Sequence, residues 1–128
     1  MSAANTNGET VAVVVAGTPV PLPNNQILNN FTASGDGTTF TAASAGTYMI
    51  SYDVKLTAPA LLTSSVRING TDIPASVVTP TDATDSYSKA FVVTLAENDE
   101  ISLVLSNLLG AATLAAGSGA NLVAVKIA

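Results

Sequence analysis

The clearest hydrophobic pattern in the chain runs from residue 48 to residue 56, where Tyr48, Ile50, Tyr52, Val54 and Leu56 alternate with Met49, Ser51, Asp53 and Lys55. A period of two puts one set on each face of a pleated strand and does not fit a helix. The pattern predicts a long central strand, entered through a tight turn at Gly46 and preceded by a short strand over residues 38–42 centred on Phe40.

The rest of the chain reads in the same terms. Residues 11–16 are uniformly apolar and mostly β-branched, which predicts a strand buried on both faces. Residues 18–23 carry Pro19, Pro21 and Pro23; proline lacks the N–H a sheet interior needs, so this run is expected along an edge. Further strands are predicted over residues 62–68, 73–78, 86–95, 100–106 and 121–127. Turn signals separate them. Gly35 and Gly37 flank Asp36, Asn69-Gly70 is a two-residue hairpin turn that needs positive φ at both positions, and Glu97-Asn98-Asp99 forms another turn. Residues 79–85 read as a polar loop, and residues 108–119 as a low-complexity stretch with some propensity for a helical turn. Strands at this spacing predict an all-β, two-sheet sandwich or jelly roll of eight to ten antiparallel strands. Residues 1–10 read as a flexible lead-in, and residues 11–128 as a single domain.

Composition narrows the function. Four basic residues face nine acidic ones, a net charge of −5. Nucleic acid and anionic membrane surfaces both require clustered positive charge, so neither is an expected partner. No apolar run approaches the roughly 20 residues of a membrane span. Charged residues make up 10% of the chain, against about 25% in an ordinary globular domain. A surface so poor in charge fits a dry extracellular or structural setting or, alternatively, burial between subunits. The apolar stretch over residues 108–116, with Leu108 and Leu114, strengthens that expectation, because in a monomer it would be an exposed liability. Covering ~400 Å² of apolar surface is worth on the order of 10 kcal/mol before association costs.

Candidate chemistry is thin. The absence of histidine and cysteine removes the usual zinc ligands and the usual base for a serine nucleophile. A Ser–Lys pair at Ser86 or Ser88 with Lys89, carboxylate pairs at Asp82 and Asp85 or at Asp99 and Glu100, and calcium held by Asp82, Asp85 and Asp99 are each outweighed by a simpler reading as solvated charge. Tyr48 and Tyr52 suit sugar stacking less well than packing. Asn30 and Asn69 stand in glycosylation sequons, a short pattern that carries little weight alone. No catalytic residue, cofactor or metal is expected.

Several motifs together carry a resemblance. Phe40, Gly46, Tyr48, Ser51, Tyr52 and Val54 fit a pattern F-x-x-x-x-x-G-x-Y-x-x-S-Y-x-V; Val66 to Gly70 fits a hydrophobic-x-x-N-G hairpin; Val93, Leu95, Asp99, Ile101 and Leu103 fit V-x-L-x-x-G-D-x-V-x-L; and the segment 119–127 fits a closing G-x-x-L-x-V strand. In this order they resemble the tumour necrosis factor-like jelly-roll superfamily, which includes the heads of complement-type collagenous proteins. Asn98 stands where that pattern has glycine, and asparagine tolerates the same left-handed backbone. Richness in Ala, Thr and Val, with few aromatics, is similar to the bacterial branch that caps collagen-like filaments on spores, as in BclA-type exosporium glycoproteins. The resemblance implies a ten-stranded jelly roll that forms a homotrimer, with the first strand, the last strand and the strand at 48–56 around the three-fold axis. Both termini would lie near the base, where a stalk joins. It implies trimer-interface roles for Val13, Val15, Tyr48, Ile50, Tyr52 and Val125, joined by Leu108 and Leu114 from the apolar stretch. The expected function is a non-enzymatic trimerising head on an extracellular spore or cell-surface filament, its partner a copy of itself. The alternative is an adhesin or fibre-tip head that recognises a receptor or glycan through apical loops, with Asp82 and Asp85 in contact.

Overall fold

A computed structural model describes residues 1–117 and 119–128. Thirteen strands follow in order: β1 (Ser2–Asn7), β2 (Thr10–Val13), β3 (Thr18–Pro19), β4 (Asn24–Ile27), β5 (Phe31–Ala33), β6 (Phe40–Ala42), β7 (Gly46–Ala60), β8 (Thr63–Ile68), β9 (Thr71–Asp72), β10 (Thr84–Leu95), β11 (Glu100–Ser106), β12 (Gly110–Thr113) and β13 (Ala116–Lys126). A 3₁₀ turn at Pro74–Ser76 lies between β9 and β10. The strands form a five-stranded sheet, β10-β7-β13-β1-β4, and a second sheet, β5-β6-β11-β8-β9, to which β3 adds along β11; β12 and β2 make a separate ribbon. Every pairing is antiparallel. The all-β jelly roll expected from the sequence is the architecture observed.

The spine is β7. It pairs with β10 from Gly46↔Leu95 to Ala60↔Thr84, and with β13 from Tyr48↔Lys126 to Val54↔Ala120. Its alternation then does what the period predicts. Tyr48, Ile50, Tyr52, Val54 and Leu56 are buried, while Met49, Asp53, Lys55 and Thr57 are exposed. The buried set, with Tyr87, Phe91, Leu95 and Leu122 of the same sheet, joins one core with Phe40, Val66, Ile101, Leu103 and Leu105 of the other.

Polar atoms inside this core are matched. The Tyr52 hydroxyl crosses to the second sheet, donating to the Ser76 carbonyl at 2.5 Å and sharing a hydrogen bond with the Ser64 hydroxyl at 2.9 Å. The Ser76 hydroxyl accepts from the Val66 amide at 2.9 Å and donates to the Ile73 carbonyl at 2.6 Å. Tyr87 donates to the Ala60 carbonyl at 2.6 Å, and Tyr48 to the Ser44 carbonyl at 2.7 Å. Among the described residues no buried side-chain nitrogen or oxygen lacks a partner.

Several expectations need correction. Residues 1–10 are not a lead-in: β1 lies between β13 and β4, and Met1 extends the ladder, its nitrogen donating to the Ala124 carbonyl at 2.6 Å. The apolar side chain Ala3 and the hydrogen-bonding Asn5 fill the core side of β1, a pattern too weak in hydrophobicity to announce a strand. The run at 11–16 is covered on one face only. Val11 and Val13 are buried but Ala12, Val14 and Val15 are exposed, because the two-stranded ribbon has nothing on its other side. Residues 73–78 are not a strand, since Pro74 starts the 3₁₀ turn where its missing N–H costs nothing. Part of the low-complexity stretch is strand β12, paired to β2. Gly46 is strand, not turn. A Cβ there would come within 2.6 Å of the Ala128 carbonyl and 2.5 Å of Lys126 Cε, so close packing of the chain end selects the glycine. The hairpin reading held: Asn69, Gly70 and Asn98 have φ of 50°, 86° and 70°.

Two stability predictions follow from this packing. Tyr52→Phe should strip the Ser64 hydroxyl and Ser76 carbonyl of their partner and cost about 1–3 kcal/mol in denaturant unfolding; an unchanged midpoint would mean that the tie contributes nothing. A Cβ at Gly119 would meet the Ala115 carbonyl at 2.5 Å. Gly119→Ala should therefore cost about 1–3 kcal/mol or more, whereas Gly35→Ala, in open space, should leave the melting temperature in place.

Candidate assembly interface

The outward side of the five-stranded sheet is built by the same alternation that builds the core. One cross-strand row reads Ala90, Ser51, Val123, Ser2 and Ile27. The row toward the termini reads Val92, Met49 and Val125; the row on the other side reads Ser88, Asp53, Asn121 and Ala4. Ile27, Met49, Val92 and Val125 are 59%, 47%, 57% and 52% exposed. Asp53 stands in the last of these rows and Lys55 in the row beyond it, paired with Ser86; Lys89, exposed on the edge strand β10, borders a depression beside them. The Asn121 amide donates to Asp53 Oδ1 at 2.9 Å. A shallow depression of about 290 Å³ lies here, lined in part by Ser51, Asp53, Ser88, Asn121 and Val123. The face is broad, weakly polar and without a convergent set of reactive groups.

The side chains expected at the trimer seam divide. Val125 is on this face and exposed, and Val15 is exposed on the segment after β2. Leu108 is half-buried against the core. Val13, Tyr48, Ile50, Tyr52 and Leu114 are corrected to interior positions: they are at most 4% exposed and fill the space between the subunit's own two sheets. They turn inward because the larger side chains of an alternating strand go to the nearer apolar partner. Tyr48 meets Phe31 edge-on, with ring centres 5.6 Å apart, and accepts a hydrogen bond from the Asn30 amide at 2.6 Å. Burial pushes the Tyr52 and Tyr87 phenols above their ordinary range; the hydrogen bonds from Ser64 and from the Leu62 amide oppose it only in part. Neither the Tyr48 nor the Tyr52 ring is free to stack a sugar, since both are buried. The sequence pattern did not single out the exposed Ile27, Met49 and Val92; the signal for this face was the lack of charge at every second position of β10 and β13.

The segments that begin at Thr79 and at Asn107 meet at one end of the sandwich. Leu61, Leu62, Thr79, Pro80 and Asn107 line one cleft of about 210 Å³ at the end of the sandwich opposite the termini. The Asn107 amide donates to the Val15 carbonyl at 3.1 Å, bringing Val15 to the same end. Leu61, Val15 and Leu109 are all exposed there, and Asp82 and Asp85 are exposed in the adjoining segment.

The strand register separates the Ser–Lys pair, and the Asp99 carboxylate is engaged locally. Ser88 and Lys89 are consecutive on β10 and so project to opposite faces. Both Asp99 oxygens are engaged within a turn, Oδ2 by the Ala96 amide at 2.8 Å and Oδ1 by Asn69 Nδ2 at 3.0 Å. Among the described residues no three or more carboxylates gather into a possible metal site. The one ion pair there, Arg67 Nε to Asp72 at 2.8 Å, ties the hairpin, while the guanidinium also donates to the Ala16 carbonyl at 2.9 Å. No helix among the described residues is long and apolar enough to cross a membrane.

Comparison with known proteins agrees with this geometry. The fold is similar to that of pika GITRL, with a TM-score of 0.56 and 12% identity over 78% of this chain and 85% of that one. It is similar to rabbit GITRL at a TM-score of 0.56 and 14% identity, covering 77% of each chain. At these identities the likeness shows the jelly-roll fold alone. No curated protein sequence matches the chain. The family model of the BclA C-terminal domain matches residues 1–128, and the chain therefore belongs to the BclA C-terminal domain family.

Proposed function

We propose that this domain is the non-enzymatic head of a collagen-like protein on a spore or cell surface, and that its mechanism is self-assembly into a homotrimer. The observation that carries this reading is the outward side of the β10-β7-β13-β1-β4 sheet. It presents four large apolar side chains about half exposed and few charges, Asp53, Lys55 and Lys89. An exposed face of this composition is an interaction surface. Charges this few suit association with a second copy better than with a strongly charged partner. Membership in the BclA C-terminal domain family and the likeness in fold to tumour necrosis factor-type ligands support a surface head built from three copies. Met1 pairs with Ala124, and Ala128 accepts a hydrogen bond from Thr47, so a stalk joined ahead of Met1 enters at the end where the last strand finishes.

A second reading rests on the opposite end. Leu109, Val15 and Leu61 are 80%, 61% and 51% exposed around the cleft there. An adhesin head would use this end, with Asp82 and Asp85 at its rim, for a receptor or glycan. The two readings are compatible, since assembly would leave that end outermost.

Light scattering on purified protein should give the mass of three chains, and a single-chain mass at micromolar concentration would refute the assembly. Val125→Asp and Val92→Asp should each cost on the order of 3–5 kcal/mol of association, as an unpaired charge forced into a covered seam does, while circular dichroism stays that of the folded sheet. Ile50→Asp should instead abolish folding, because Ile50 is wholly buried within the subunit. If Val125→Asp and Val92→Asp leave the mass unchanged, this face is not the seam. For the second reading, Leu109→Ser should preserve the trimer and weaken capture on a glycan array; wild-type protein that captures nothing there would remove it.

A further inference from the structure

The turn between β8 and β9 holds chemistry that assembly does not use. Asn69 and Gly70 are both exposed, and nothing stands within 4 Å of the place a Gly70 side chain would occupy, so water reaches the turn freely. An asparagine followed by glycine is the pair in which the next main-chain nitrogen meets the side-chain amide with least steric hindrance, since glycine has no Cβ. Here the amide is held from the neighbouring β10–β11 turn. Asn69 Oδ1 accepts from the Glu100 amide at 2.9 Å, and Asn69 Nδ2 donates to Asp99 Oδ1 at 3.0 Å. The Asn69 main-chain amide donates to the Glu100 carbonyl at 2.8 Å. Asp99 is itself fixed by the Ala96 amide at 2.8 Å.

We propose that Asn69-Gly70 is a spontaneous deamidation site whose rate is set by the clamp from Asp99 and the Glu100 amide. When the clamp opens, the Gly70 nitrogen attacks Asn69 Cγ. The new N–Cγ bond forms, the Cγ–Nδ2 bond breaks, and ammonia leaves with the proton from Gly70. Solvent water then adds to either carbonyl of the five-membered ring and gives aspartate or isoaspartate at position 69. Neither product fits the folded turn. A carboxylate at 69 has no proton to donate to Asp99, and two carboxylates are left at hydrogen-bonding distance, where like charges oppose each other. Isoaspartate also lengthens the main chain in a turn whose two-residue length fixes the pairing of Arg67 with Asp72 and Ile68 with Thr71. The modification thus loosens the β8–β9 corner and its contact with β11.

The test follows the intact chain in mildly alkaline buffer, with peptide-mapping mass spectrometry reading conversion of Asn69 to the acid. A hydrogen bond to a charged group is strong enough to slow opening by about tenfold or more. Native wild-type protein should convert at least about tenfold more slowly than the same chain in urea. Asp99→Ala, checked as folded by circular dichroism, should convert about tenfold faster than native wild type, and Asp99→Asn, which keeps an oxygen acceptor, by a smaller factor. Equal rates in native and urea-unfolded wild type overturn the proposal. So does a folded Asp99→Ala or Asp99→Asn protein that converts no faster than wild type.

Discussion

The alternation along β7 governs the molecule twice over. Because β7 lies between β10 and β13 in fixed register, each of its side chains aligns a row across the sheet, and the two faces receive opposite assignments. The inward rows make a core with the second sheet. The outward rows leave a broad surface that is neither core nor ordinary exterior. A slip of one residue would exchange the faces, burying Asp53 and Lys55 and exposing Tyr48, Ile50 and Tyr52. The core and the weakly polar outer face are therefore one specification.

The scarcity of charge acquires a physical place in this arrangement. Most of the ionised groups are on turns, sheet edges and the second sheet, as with Asp36, Arg67 with Asp72, and Asp99 with Glu100. Hydroxyl and amide groups take over the polar work inside. Tyr52, Ser64 and Ser76 join the two sheets through partners that are all satisfied, which a low-dielectric interior requires. Serine in a core strand such as β8 looks like a weakness in sequence, and here it completes a hydrogen-bonded set with a tyrosine from the facing sheet.

Much of the fold was legible because its signals are local. The period of two at 48–56, the Asn69-Gly70 turn and the Glu97-Asn98-Asp99 turn each fix their own geometry, and the motif order led to the right family. What was illegible depends on partners distant in sequence. Ser2–Asn7 forms a strand because β13 and β4 supply ladders on both sides, not because Ala-Ala-Asn-Thr favours one. Gly46 reads as a turn until Ala128 is laid across it. For the seam, large and aromatic residues drew the expectation to Tyr48, Ile50 and Tyr52, but both faces of β7 are available to apolar partners. Only the second sheet decides which face is internal, and so leaves Met49, Val92 and Val125 exposed on the other.

Met49 offers the most direct measurement. It stands in the middle of the outward rows and would be 47% exposed in a subunit standing alone. A thioether in water is oxidised readily and a covered one is not. Peroxide treatment of the native protein, read by mass spectrometry, should leave Met49 strongly protected relative to the urea-unfolded chain. Oxidation of Met49 in the native protein as fast as in the unfolded one would show that this face is open to water, and would contradict the account.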